Sequence, residues 1–223
     1  MASTLRERVA WTGGLVALYA VLLGSRTLDA VDSEFPRRVE VAALADPAER
    51  LAVELGPGGE DVPAVGEALA SLPGPLVARA KREGLRVRIT DLATLKQSGA
   101  EAAPMSVVAG LFVPRSLEIL IAHDTEHPGL TALHEFGHYL DHTLGNCSAS
   151  PRFQALWDRA DDGTTRRYYL AAAPELFAHY VTEYYFSDRR RDRLVEEQPE
   201  AAALLRAIEA SARAGEARCP RES

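Results

Sequence analysis

The stretch "LTALHEFGHYLDH", Leu130 to His142, carries three of the chain's six histidines within nine positions and sets a glutamate directly after the first. Pro128 ahead of it and Gly145 behind bracket a helix of about four turns, Pro128 to Leu144, because proline suits a first helical turn and glycine ends one. Leu130, Leu133, Phe136 or Gly137, Leu140 and Leu144 recur at three- and four-residue spacing and predict its buried stripe. His134 and His138, four apart, project from one side of such a helix about 40° from each other. Two imidazoles so placed can hold one tetrahedral ion. Glu135 lies about 100° around from His134, within reach of a water on that ion without ligating it. Gly137 leaves room for a neighbouring element to approach closely.

This is the H-E-x-x-H arrangement of zinc hydrolases, in which the metal acidifies a water and the glutamate takes its proton as that water attacks a peptide carbonyl. Such sites need a third protein ligand. The longer pattern ending in a third histidine fails here, since Asp141 stands at its glycine position and Leu144 at its last histidine position. His142 offers no solution, because ligands spread along about 12 Å of one straight helix cannot converge on one ion. The remaining ligand is expected from another element, and His123, His127 and His142 are expected to be partly exposed non-ligands.

The 223 residues, 47% of them hydrophobic, suffice for one main domain, expected over 61–223. The net charge of −7 is spread without a basic block, so nucleic acid is excluded as an expected partner. Residues 1–30 read as a signal peptide or signal anchor. Arg6 and Arg8 precede an apolar run from Val9 to Leu23, too short for an ordinary bilayer span and close to a secretory core, a buried helix being the remaining reading. The protein is therefore expected outside the cytoplasm, secreted or anchored to the outer face of the membrane, as a monomer. Cys147 and Cys219 lack metal-site spacing, so a disulfide or two buried thiols are both open.

Residues 31–60 read as a linker followed by a helix, with Pro47 in its first turn and Gly56 to Gly59 at its end. A second helical stretch, "VPAVGEALASLPGPLVARAKREG", breaks at Pro73-Gly74-Pro75 and stops at Gly84. "LRVRIT", Leu85 to Thr90, alternates with period two and predicts a strand buried on one face. Val107 to Val113 and Leu117 to Ala122 flank Pro114-Arg115-Ser116 as a hairpin. "DRRRDR" at 188–193 reads as a solvated helix start or loop.

Downstream, "RRYYLAAAPELFAHYVTEYYFSD" predicts a helix from Pro174 to Phe186. Leu176, Phe177, Tyr180, Val181 and Tyr184 form its apolar face, leaving Glu175, His179 and Glu183 together on another. Glu175, in the first turn where the helix dipole favours a carboxylate, is the best candidate for the third ligand, with His179 the competitor.

With "HEFGHYLD", "YYLAAAPELFAHYVTEYYF" and the hairpin "GLFVPRSLEILI" in this order, the chain resembles the gluzincins related to the catalytic domain of anthrax lethal factor, which include secreted Pro-Pro endopeptidases. The likeness runs from about Val107 to Ile208 and more weakly back to Asp61. It implies an α+β zincin-like metalloprotease domain, with a small twisted sheet, an active-site helix and a second ligand-bearing helix. It implies zinc on His134, His138 and Glu175, with Glu135 as catalytic base. It also implies a tyrosine that stabilises the oxyanion, Tyr168, or Tyr169 after a one-residue slip. Where the family carries an acid four residues after the ligand glutamate, to receive an N–H from a zinc-bound histidine, this chain has His179; Asp141 or Glu183 are the alternatives for that task.

The expected activity is zinc-dependent endopeptidase hydrolysis of a peptide or protein bound extended along a sheet edge, with 108–112 contributing. Its rivals are a catalytically silent, zinc-stabilised peptide-binding module and a tethered structural protein whose histidines sit on the surface.

Overall fold

A computed structural model describes residues 51–97, 109–160, 172–216 and 218–220. The leader, the linker up to residue 50, and Val107 and Val108 lie outside the described residues. In chain order the elements are β1 (Val53–Leu55), α1 (Pro63–Ala70), α2 (Gly74–Glu83), β2 (Arg86–Thr90), α3 (Leu92–Gln97), β3 (Gly110–Val113) and β4 (Glu118–Ala122). They continue with α4 (Pro128–Thr143), a 3-10 turn (Cys147–Ala149), α5 (Pro151–Arg159), α6 (Ala173–Phe186), α7 (Asp188–Glu197) and α8 (Pro199–Arg213).

The α+β architecture rests on a four-stranded sheet of order β1-β2-β4-β3. β1, β2 and β4 run parallel, and β3 returns antiparallel beside β4 as the predicted hairpin. Register explains the alternation in "LRVRIT". Val53, Val87, Ile119 and Phe112 line up across the strands, as do Leu55, Ile89, Ile121 and Gly110. Val87, Ile89, Ile119 and Ile121 are fully buried in the main core with residues of α1 and α4, each contributing about 1.5–3 kcal/mol by leaving water. The other face places Arg86 and Arg88 beside Glu118, the closest pair being Arg88 and Glu118 at 3.1 Å. Leu95 of α3 covers Leu111 and Leu120 on that same face.

The segment read as linker and helix needs a correction, for it supplies β1. Alanine-rich propensity is overridden by pairing with β2, and the Gly56 N–H extends that pairing to the Ile89 carbonyl at 2.7 Å. The break expected at 73–75 falls slightly earlier, at 71–73, with Gly74 and Pro75 opening α2, and Gly84 ends α2 in the left-handed conformation with φ +81°. The "DRRRDR" run begins α7, with the Ser187 hydroxyl capping its N-terminus.

α4 also departs from expectation. Burial extends beyond the predicted stripe, for every residue from 131 to 141 is buried, while Leu130 is only half-buried. The sheet and α1 cover one side and α6 the other, so the polar side faces a second helix instead of water. At Gly137 a Cβ would stand 2.6 Å from the Ala178 Cα, so this glycine is what lets α6 lie so close. The far end of α4 is held by Arg79 of α2, which donates to the Thr143 carbonyl at 2.9 Å and to Glu83 at 2.8 Å. Tyr139 donates its hydroxyl to the same Glu83 at 2.5 Å. No helix among the described residues is long and apolar enough to cross a membrane.

Candidate metal centre

Three buried side chains from the two helices meet: His134, His138 and Glu175. α4 presents the imidazoles one turn apart, with Nε2 atoms 3.1 Å from each other. α6 brings Glu175 in its first turn, just after Pro174, where unpaired backbone N–H groups favour an anion. Its carboxylate straddles the pair, Oε2 lying 3.2 Å from His134 Nε2 and Oε1 3.5 Å from His138 Nε2. Ligand bonds of about 2.0–2.2 Å in tetrahedral directions place donors about 3.3 Å apart, so the trio fits one divalent ion of zinc's size. His179 is not part of it. His123 and His127 are half-buried and His142 is exposed, all outside the trio as expected.

Burial alone would raise Glu175, but hydrogen bonds and charges from His134 and His138 outweigh it and hold it well below the usual carboxylate range. Burial presses His134 down to about 4, against the pull of Glu175. His138 is also disfavoured as a cation by burial, yet Glu175, Glu135 and Asp141 together raise it. Two imidazoles and one carboxylate anion are the donor chemistry that zinc takes.

Glu135 stands beside this trio and is not one of its ligands. It is fully buried, and neither carboxylate oxygen makes a hydrogen bond of good geometry among the described residues, although the Phe112 N–H of β3 lies near enough to favour the anion. Burial, with Glu175 adding to it and His138 and that Phe112 N–H opposing, pushes it up to about 7. A carboxyl poised near neutrality is suited to taking and returning protons. Gly110 of β3 passes directly over it: a Cβ there would stand 2.8 Å from the Glu135 Cγ and 2.5 Å from the Thr131 methyl. Among the described residues β3 is an edge strand of the sheet, and that edge runs past Glu135.

Sequence reasoning locates Glu135, His134, His138 and Glu175, and the structure brings all four together. Tyr168 and Tyr169 lie outside the described residues. Of the alternatives for supporting a ligand histidine, Glu183 is engaged by Arg190 and by Arg193, the latter at 2.7 Å. His179, one turn on from Glu175, has its charged form disfavoured by burial, against the pull of Glu183. Asp141 is bonded by Ser148. The roles of Gly110 and Ser148 carry no local sequence signal, because each is defined only by the side chain it meets.

The fold is similar to that of the Pro-Pro endopeptidase PPEP-2 from Paenibacillus alvei, with a TM-score of 0.55 and 18% identity over 69% of this chain and 95% of that one. At that identity the likeness is one of architecture: an α+β zincin-like fold with a small sheet. No protein-family model matches the chain, and no curated protein matches it.

Proposed function

We propose that this chain is a zinc-dependent endopeptidase of the gluzincin kind, acting as a monomer outside the cytoplasm, with its N-terminal apolar run either removed or kept as an anchor. The observation that carries the reading is the convergence of His134, His138 and Glu175 at tetrahedral donor spacing next to a buried Glu135 that makes no hydrogen bond of good geometry among the described residues. Zinc at this site supplies Lewis acidity toward a water and a substrate carbonyl.

The chain's own residues do the rest. An extended peptide pairs with the free edge of β3, which fixes a scissile bond over Glu135 through main-chain hydrogen bonds. The Glu135 carboxylate removes a proton from the attacking water and delivers it to the departing amine. Tyr168 donates a hydrogen bond to the oxygen on which negative charge develops. A silent binding module has no use for a carboxylate buried without a well-formed hydrogen bond, which costs folding energy. The likeness to a Pro-Pro endopeptidase makes peptides with consecutive prolines the first substrates to test. Export is supported by the Cys147–Cys219 disulfide, a bond that persists in oxidising compartments.

The test is cleavage-site mapping on a peptide library with the wild type and Glu135→Ala, with and without chelator, alongside metal analysis. Cleavage is expected only from metal-replete wild type, with stoichiometric zinc in both proteins. Cleavage by Glu135→Ala would refute the proton-transfer role. Zinc binding with peptide retention and no cleavage would instead establish the binding module.

A further inference from the structure

Asp141 lies one turn after His138 on α4, so their side chains share a side of the helix. It is 5% exposed, and both of its oxygens are held by a single residue: Ser148 donates its N–H at 2.7 Å and its hydroxyl at 2.6 Å. Ser148 belongs to the 3-10 turn that follows α4, reached through two consecutive left-handed residues, Gly145 and Asn146. That turn is fixed from several directions. The Asn146 N–H returns to the Asp141 carbonyl at 2.8 Å, and the Gln154 amide donates to the Ser148 carbonyl at 2.7 Å. Buried Cys147 is crosslinked to Cys219, whose own N–H donates to the Leu144 carbonyl at 2.9 Å.

These restraints converge on one carboxylate beside a metal ligand. Glu183 is occupied by Arg190 and Arg193, and Asp141, one turn after His138, is the buried carboxylate that the following turn immobilises. We propose that Asp141 and Ser148 are a positioning pair for His138, kept in register by the Cys147–Cys219 crosslink. The inference rests on the metal reading given above. An immobilised anion behind a ligand imidazole fixes the ring and makes it the better donor, and loss of such support typically weakens metal binding 10- to 100-fold.

The experiment titrates zinc into the metal-free full-length chain against a chromophoric chelator. It compares wild type with Ser148→Ala, Asp141→Asn and the double variant Cys147→Ala, Cys219→Ala. Tyr185→Phe, which loses a 3.0 Å bond to Glu209 at the far end of α6, serves as the stability control. The zinc Kd is expected to rise about 10-fold in Ser148→Ala and 10- to 100-fold in Asp141→Asn, with the crosslink variant moving the same way. Tyr185→Phe is expected to melt lower with its Kd unmoved. Should Asp141→Asn fail to fold, Ser148→Ala carries the test, since it keeps the carboxylate and removes one bond. Wild-type Kd values in Ser148→Ala and Asp141→Asn would overturn the pair while leaving the metal site standing. A wild-type chain that takes up no zinc would overturn both.

Discussion

Replacing Gly137 by alanine tests whether the spacing of α4 and α6 builds the metal centre. The new Cβ would stand 2.6 Å from the Ala178 Cα and 3.0 Å from its Cβ, where carbon atoms rest at about 3.5–4.0 Å. The helices must part by about 1 Å. Overpacking of this kind costs about 1–3 kcal/mol, and the better helix propensity of alanine returns about 1 kcal/mol. The fold should therefore survive with a small net loss. Glu175 rides on α6 less than one turn before Ala178, so its carboxylate moves with the helix, while metal sites tolerate only about 0.2 Å in ligand distance. Zinc affinity should fall at least tenfold while the far-ultraviolet circular dichroism stays native. Ala178→Gly should not restore it, since the 2.6 Å contact is with the Cα that glycine keeps. Chelator competition on wild type and Gly137→Ala reads the effect. Unchanged affinity in Gly137→Ala would refute the reasoning.

Glu135 gives a pH signature in the metal-free protein. Raised from an ordinary 4.5 to about 7, it contributes stability that is complete below about pH 4.5 and is lost as pH rises through 7, the whole amounting to roughly 3 kcal/mol. Glu135→Gln should accordingly match wild type at pH 5 and exceed it by about 2–3 kcal/mol at pH 8 in urea unfolding with chelator present; equal stability at pH 8 would count against the buried anion. Tyr168→Phe should lower kcat about 100-fold or more with KM and zinc content unchanged, and a purely structural tyrosine would leave kcat alone. Arg79→Leu should cost about 2 kcal/mol, less than a fully buried pair because Glu83 keeps some access to water, and a denaturation midpoint equal to wild type would show that the contact with Thr143 contributes nothing.

The readable parts of the fold were those written in local period. "LRVRIT" alternates because its two faces meet different neighbours, and the hairpin announces itself through β-branched runs around Pro114-Arg115-Ser116. Pro128 and Gly145 mark α4 within a residue of its observed end, and Pro174 does the same for α6. β1 was illegible for the opposite reason. Three residues, Val53 to Leu55, become a strand only because β2 offers them an edge, and nothing in their own alanine-rich surroundings states it. The short helix α3 carries no comparable punctuation, whereas α5, opened by Ser150-Pro151, and α8, opened by Pro199 and followed by Gly215, carry it and drew no assignment all the same. Cys147 and Cys219 could be paired only once the tail was seen to return to the end of α4.

The same distinction separates what the site residues revealed from what they concealed. H-E-x-x-H is legible because one helix fixes the mutual direction of His134, Glu135 and His138 whatever surrounds it. Amphipathic reasoning then assigns their side of the helix to water, and here it fails for a physical reason. A metal donor has to be desolvated to be useful, so the polar side of α4 is buried against α6, whose Glu175 supplies the compensating anion. Burial without a cation leaves the cluster in conflict, with His134 pressed toward neutrality and Glu135 driven toward protonation in the same few ångströms. A divalent ion relieves both, since it takes the imidazoles as neutral donors and favours every nearby carboxylate as an anion. The cost of burying four ionisable groups between two helices is thus the counterpart of a donor set able to take a divalent ion, and Gly137 is the residue that lets the two helices close around it.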